Sequence, residues 1–295
     1  MTQQRIAVLG TGAMGSRLAL RLLAAGYRVT VFNRTPAHAQ AVIEAGAQFA
    51  DTPAQAVVYA DCVISMLTDD VAARAVWLHP EHGALAYIGT DTVIVECSTV
   101  TPTWIAELAE HCAQRGVSLL DAPVLGSRPQ AEAGALITLV GGHASVLERV
   151  FPILQAFSSN VHYVGAQGAG ARLKLAVNTL LSVQVAALAE TLAWLTRSGM
   201  DTAPIVTLLN ILPTTSPALQ GIGKLMAAGH FAPLFPIALV EKDLRYTLQT
   251  ALHAGAAVPL TTLTQQLYAN AMREGLAEQN IVAILQTYQH DAPTL

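Results

Sequence analysis

Lys174 and Asn178 are polar residues in an otherwise apolar stretch that includes Leu173, Leu175, Ala176, Val177, Leu180 and Leu181. Their i, i+4 spacing puts them on one face of a helix. A helix so rich in Leu, Ala and Val turns much of its surface to a packed interior. An ammonium held there beside an amide can give a proton to a reacting oxygen or take one from it. Burial disfavours the charged form and lowers the lysine pKa toward the working range. Taken by itself, a helix lysine is more often a solvated charge, so the reading depends on what else the chain supplies.

It supplies a glycine turn. Gly10-Thr11-Gly12-Ala13-Met14-Gly15 follows the apolar strand Arg5-Ile6-Ala7-Val8-Leu9 and leads into Ser16–Leu23, which has helical periodicity. The first glycine permits the tight turn and the second lets backbone approach a pyrophosphate. The third lets helix and strand pack closely, so that N–H groups at the helix start face the phosphates. The next strand, Arg28–Phe32, ends in Asn33-Arg34-Thr35. An acidic residue there would bind the ribose 2′-hydroxyl of NAD. Here a guanidinium and a hydroxyl can bind a 2′-phosphate, which predicts NADP, although Arg34 alone could be a solvated turn residue.

These groups need elements to hold them. The strand Cys62–Leu67 brings Met66, Leu67 and Thr68 to a carboxyl end, where ligands bind in open α/β sheets. The strand Thr92–Glu96 does the same for Ser98 and Thr99, which could contact the nicotinamide side or simply cap the next helix. Thr52 with Pro53 opens another helix. Further strands are expected at Val117–Leu120, Leu136–Val140 and Val161–Val164. From Gly165 the pattern changes to a flexible turn, one long helix to about Arg197, and helices broken at Pro213, Pro217, Pro233, Pro236 and Pro259. The prediction is an α/β chain: a Rossmann-type, doubly wound, mostly parallel sheet domain over 1–164, then an all-α domain over 165–295 joined by the long helix. Lys242-Asp243 in the second part reads, alone, as an exposed pair of little energetic weight.

Composition narrows the function. The 295 residues are 53% apolar and 12% charged, which excludes a disordered chain. A net charge of −4 without a basic run argues against nucleic-acid binding. Cys62, Cys97 and Cys112 have neither metal-site spacing nor a paired framework, and read as core thiols of a cytoplasmic protein. The nine histidines form no ligand cluster, so no metal is expected. A strand beginning within five residues of the start predicts no signal peptide. Lys174, Asn178, Gln184 and Glu190 interrupt the most apolar long stretch and argue against a membrane span.

In order along nearly the whole chain, the glycine turn, Phe32-Asn33-Arg34-Thr35, Ser98-Thr99-Val100, Asp121-Ala122-Pro123-Val124, Lys174 with Asn178, and Lys242-Asp243-Leu244 resemble the β-hydroxyacid dehydrogenases. These include 3-hydroxyisobutyrate dehydrogenase and the glyoxylate/succinic semialdehyde reductases, of 6-phosphogluconate dehydrogenase-like architecture. The resemblance implies an oxidoreductase passing a hydride between nicotinamide and the carbonyl of a small aldehyde or keto acid. Lys174 would be the catalytic lysine and Asn178 its substrate-orienting neighbour. Gly126 and Ser127 would bind a substrate carboxylate, with Ser98 and Leu125 beside them. Thr99 and Lys242 would contact the cofactor. Asn33-Arg34-Thr35 looks like the NADPH-preferring glyoxylate reductase branch. One departure is Leu125, where the family commonly has serine; an isobutyl group there favours a less polar acid. An imine reductase is the nearer alternative, but those enzymes generally carry a different residue in place of Lys174. A non-catalytic NADPH-binding scaffold is the other, and Lys174 with Asn178 argues against it. The apolar residues of the second part, Leu208, Leu209, Ile211, Leu212 and Leu219 among them, suggest a homodimer or homotetramer.

Overall fold

The computed structural model describes residues 4–288. The chain forms two compact units, Met1–Lys174 and Leu175–Leu295. In the first, strands and helices alternate: β1 (Arg5–Leu9), α1 (Gly15–Ala24), β2 (Arg28–Phe32), α2 (Gln40–Glu44), β3 (Gln48–Phe49), α3 (Pro53–Val57), β4 (Cys62–Ser65), α4 (Asp70–Leu78), β5 (Val93–Glu96), α5 (Pro102–Gln114) and β6 (Ser118–Asp121). β7 (Val124–Leu125), α6 (Arg128–Glu132), β8 (Leu136–Gly141), α7 (Ala144–Gln155) and β9 (Ser158–Gly165) complete it. The sheet order is β3-β2-β1-β4-β5-β6-β8-β7, with β9 on β8. β1 to β6 pair in parallel, whereas β8 runs antiparallel to β6 and β7.

Strand alternation divides the core between the two faces. Ile6, Val8, Val31, Ile64 and Val95 pack with Leu18 and Leu22 of α1 and Ile153 and Leu154 of α7. Ala7, Leu9, Val63 and Ile94 pack with Trp77 of α4 and Trp104 and Leu108 of α5. Thr52, Asp69 and Thr101 cap α3, α4 and α5 by accepting from Gln55 N, Ala72 N and Trp104 N. At the carboxyl ends of the strands the register makes one row: Phe32, Leu9, Ser65, Glu96, Asp121, Gly141. Three members of that row, Ser65, Glu96 and Asp121, are polar and fully buried.

α8 (Ala169–Arg197) begins in the first unit and continues through the second. The second unit adds α9 (Thr202–Leu209), α10 (Pro217–Ala227), α11 (Ile237–His253), α12 (Pro259–Arg273) and a 3₁₀ segment, Ile281–Tyr288. Pro217 and Pro259 stand at helix starts and Pro236 precedes α11, where a missing N–H is harmless. Val185, Leu188 and Leu192 of α8 pack with Val240, Leu244, Tyr268 and Ile284 to form the unit's core. Among the described residues this unit has no strand, only the isolated bridge Pro236–Asn280. By length and composition alone α8 could cross a membrane. Its Val185–Leu192 side, however, is buried in this core, as in the core helix of a globular unit.

The last strand of the first unit is longer than its apolar centre suggests. β9 runs from Ser158 to Gly165 because β8 offers a full-length partner, with a register shift near each end. β7 and α6 carry no periodicity that a sequence reading could use, since they are two and five residues long.

Candidate active site

The glycine turn leaves β1 with Gly10 N donating to Phe32 O at 2.8 Å. Gly10 has φ +98°, and a Cβ there would strike Met66 O. A Cβ on Gly15 would strike Gly10 O. A Cβ on Gly12 would meet nothing within 4 Å. Two of the glycines are therefore required by the fold, and the third keeps open the space over the start of α1. Thr11 Oγ1 is buried there without a hydrogen-bond partner. Open backbone, an unanswered hydroxyl and a helix N-terminus fit the pyrophosphate of a dinucleotide. Ala13 is exposed and Met14 half-buried beside them.

Asn33 plays a structural part in this turn. Its Oδ1 accepts from Thr11 N at 2.9 Å and its Nδ2 donates to Thr35 O at 2.9 Å, so its amide ties the end of β2 to the glycine turn. Arg34 and Thr35 are exposed, and Arg34 makes no ion pair among the described residues. Arg34 is thus the cation on offer at this edge.

Beyond β4 and β5, Met66, Leu67 and Thr99 are half-buried and Thr68 is exposed at the same edge of the sheet. Ser98 is buried, and its hydroxyl accepts from Leu67 N at 2.7 Å. It therefore braces the β4 and β5 ends against each other instead of lying open to a substrate. Glu96 stands behind it, accepting from Ser98 N at 3.0 Å and from Trp77 Nε1 at 3.1 Å. Burial pushes the Glu96 carboxyl above its ordinary range, against the hydrogen bonds from Ser98 and Trp77.

Asp121 organises the next edge. Its carboxylate accepts from Gly168 N at 2.7 Å, Ala171 N at 2.9 Å and Gln167 Nε2 at 3.2 Å. It thereby caps the start of α8, the helix that carries Lys174 one turn later. Side chains at Gly141 or Gly170 would collide with this carboxylate or with Leu139 O, hence the small residues around it. Burial raises the Asp121 pKa despite the backbone donors. From Asp121 the chain runs through β7, where half-buried Leu125 pairs with Ile137. Gly126 follows with φ +115°. Ser127 then forms a capping box with Gln130, Ser127 N donating to Gln130 Oε1 at 3.0 Å. Ser127 thus serves the start of α6.

In the second unit Asn178, Lys242 and Asp243 form one buried cluster. Asn178 Nδ2 donates to Asp243 Oδ2 at 2.6 Å, and Lys242 Nζ lies 3.1 Å from Asp243 Oδ1. The Lys242 and Asp243 side chains are 8% and 3% exposed, so this is a buried ion pair and not the exposed one suggested by the residues alone. Lys242 also sits 5.2 Å from the ring centroid of Tyr246. Lys174, 9% exposed, stands one turn before Asn178 on α8.

Glu96, Asp121 and Asp243 were not singled out by residue type, although Asp121 and Asp243 lie in segments that were. The available signal was position: Glu96 and Asp121 end apolar strands, and Asp243 sits within a helix. A cavity of about 630 Å³ lined by Arg5, Arg28, Gln48 and Tyr59 lies at the opposite, amino ends of the strands. Ligands of open α/β sheets bind at the carboxyl ends, so that cavity is not where this chemistry is placed.

A mostly parallel sheet with a dinucleotide turn at its carboxyl edge, and a long helix carrying a buried lysine and amide one turn apart, is the arrangement of a pyridine-nucleotide-dependent dehydrogenase. Comparison with known proteins agrees. Residues 5–165 match the family described as the NAD binding domain of 6-phosphogluconate dehydrogenase. Residues 168–288 match the NAD-binding domain of NADP-dependent 3-hydroxyisobutyrate dehydrogenase. A 3-hydroxyisobutyrate dehydrogenase of Pseudomonas aeruginosa is 35% identical over 92% of this chain and 95% of its own. An NAD-dependent L-serine dehydrogenase of the same organism is 30% identical over 97% and 98%. The structure of Mycobacterium tuberculosis 3-hydroxyisobutyrate dehydrogenase with L-serine superposes with TM-score 0.88 at 28% identity, covering 97% of this chain and 99% of that one. The chain belongs to the β-hydroxyacid dehydrogenase family, and its activity is that of an NAD(P)-dependent hydroxyacid dehydrogenase.

Proposed function

We propose that the protein is an NADPH-dependent reductase of a small carboxylate-bearing aldehyde or keto acid, working in reverse as a hydroxyacid dehydrogenase. The observation that carries this reading is Lys174, 9% exposed on α8 one turn before an amide that Asp243 holds in place. When bound, the nicotinamide supplies or accepts the hydride. Lys174, as ammonium, protonates the developing alkoxide; in the oxidative direction neutral Lys174 takes the proton from the hydroxyl. A carboxylate can only accept, so Asp243 must face the Nδ2 end of Asn178 and turns the acceptor end away from itself. Lys242, compensated by Asp243, supplies a fixed positive charge to the same cluster. Thr11 and the N–H groups around Gly12 would hold the pyrophosphate. Arg34, unpaired among the described residues, would hold the 2′-phosphate, which supports NADPH even though a relative is NAD-dependent by name.

The test is steady-state reduction of glyoxylate, succinic semialdehyde and neutral aldehydes with NADPH or NADH. The wild type should favour NADPH by at least about tenfold in kcat/KM, the worth of one charge-assisted contact. Lys174→Ala should lower kcat by about 10²- to 10⁴-fold while leaving the NADPH dissociation constant nearly unchanged. Near-normal turnover in that variant would remove Lys174 as the proton donor.

The same reading places the protein in the cytoplasm as a homodimer or homotetramer, acting on a small molecule and binding neither nucleic acid nor membrane. Supporting it are a net charge of −4, three buried free cysteines, and an α8 face with Leu180 63% and Trp194 56% exposed. Sedimentation at low and high concentration measures the assembly, and a monomeric mass throughout refutes it.

A further inference from the structure

We propose that the cavity at the amino ends of β1 and β2 is a second ligand site, built for a small planar ring that carries a phosphate, as a nucleoside monophosphate does.

The cavity has a volume of about 630 Å³, within the range of small-molecule sites. It exists because the cover over this end of the sheet is short and made of small residues. α3 spans only Pro53–Val57, and with the turn after it presents Ala56 and Ala60 to the cavity. The glycine turn stands at the other end of β1, a five-residue strand about 16 Å long. An occupant of the cavity therefore does not compete for the pyrophosphate position.

Charge decides what the cavity takes. Arg5 and Arg28 are register partners at the start of the β1–β2 ladder, and both line it. Like charges directly opposite on neighbouring strands repel each other, and an anion between them relieves that repulsion. Asp61 offsets Arg5, with its Oδ1 3.1 Å from Arg5 Nη2, and also accepts from Arg5 N at 2.8 Å. Among the described residues no Asp or Glu lines the cavity, so the lining carries two permanent positive charges and no negative one. Guanidinium forks on adjacent strands match the several oxygens of a phosphate.

The remaining lining calls for a ring attached to that anion. Tyr59 is 75% exposed, while Ala56 and Ala60 beside it are buried. Planar rings stack on such an aromatic face whatever their substituents. Gln48 of β3 and Gln55 of α3 add amides, which both donate and accept. Gln55 Oε1 accepts from Asp51 N at 3.1 Å, so its Nε2 end is the one on offer. Cations for a phosphate, an aromatic face for a ring and amides for a polar ring edge together select a nucleotide over a simple anion.

In the experiment the full chain is first saturated with NADP⁺, which fills the dinucleotide turn. It is then titrated calorimetrically with adenosine monophosphate, phenyl phosphate and inorganic phosphate. Adenosine monophosphate should bind most tightly and inorganic phosphate least. Arg28→Gln should weaken adenosine monophosphate by about 10- to 100-fold, the worth of one charge-assisted contact. Tyr59→Ala should weaken it by about 5- to 100-fold while leaving inorganic phosphate unaffected. Both side chains are exposed, so both variants should keep the wild-type NADP⁺ dissociation constant, which shows that they fold. Failure of adenosine monophosphate to bind the NADP⁺-saturated wild type overturns the proposal. So does equal affinity in the wild type and both variants, which would put the nucleotide elsewhere. Inorganic phosphate binding as tightly as adenosine monophosphate overturns it too, because the ring would then contribute nothing.

Discussion

Asp121 and Asp243 are both buried aspartates bonded to α8, one in each unit, and they are held by opposite means. Asp121 is answered by backbone: Gly168 N and Ala171 N donate to it, with Gln167 Nε2 as a third contact. Asp243 is answered by side chains, the amide of Asn178 and the ammonium of Lys242. Backbone donors belong to any sequence that makes the turn, so Asp121 acts on the chain's path. Side-chain donors exist only because those residues are present, so Asp243 acts on their orientation. The first aspartate fixes where a helix begins, and the second fixes how two functional groups point.

If that distinction is right, the two sites should fail differently. Asp121→Ala leaves two buried N–H donors unanswered at about 1–3 kcal/mol each. It should therefore lose several kcal/mol of stability and lower the midpoint of chemical unfolding, with activity falling because the fold is lost. Asp243→Asn keeps an acceptor for Asn178 but leaves the Lys242 charge without its partner. About 3 kcal/mol of stability should go, the lower end of what a broken buried pair costs. In the fraction that remains folded, kcat should drop by about tenfold or more, because the Asn178 amide can now turn over. Equal loss of stability and unchanged kcat in Asp243→Asn would erase the comparison.

The smallest expected effect is in pH. Burial raises the folded-state pKa of Asp121 above its ordinary value of 3.8. Its contribution to stability is then fully present below the unfolded pKa and is lost as pH rises through the folded one. Unfolding free energies measured from about pH 3.5 upward should fall along this limb in the wild type. The limb should be shallower in Asp121→Asn, which cannot titrate there. Glu96, whose pKa is also raised, adds a limb of the same sign that this variant leaves in place.

The same pair marks what could be read from sequence. The glycine turn, β2 over Arg28–Phe32 and the Thr52 cap followed from local rules, because φ preferences, apolar runs and capping side chains act within a few residues. The long helix to Arg197 and the proline-started helices after it followed for the same reason. The antiparallel β7–β8 pair did not, since two residues have no usable period and their pairing comes from β8. Lys242-Asp243 looked exposed because adjacent helix residues do not face each other in the usual i, i+4 manner. Only the packing of α11 reveals that both side chains are buried. Ser98 and Asn33 stood in positions suited to ligand contact. Their hydrogen bonds to Leu67 N and Thr11 N depend on strands far apart in sequence. Asp121 was visible as part of a motif, but its purpose required the register that places it in one row with Ser65 and Glu96.

The empty surroundings of Gly12 have a consequence for how this protein tolerates change. Gly10 and Gly15 are guarded by the unliganded chain itself, because a methyl group at either would meet a carbonyl oxygen. A methyl group at position 12 would meet nothing, so conformational stability without coenzyme carries no information about that residue. Its constraint resides in ligand linkage, the extra free energy that a bound molecule adds to the folded state, which grows with the logarithm of one plus the ratio of free ligand to its dissociation constant. A population of variants screened by melting alone would keep alanine at position 12 and discard it at 10 and 15, preserving the fold while losing its occupant.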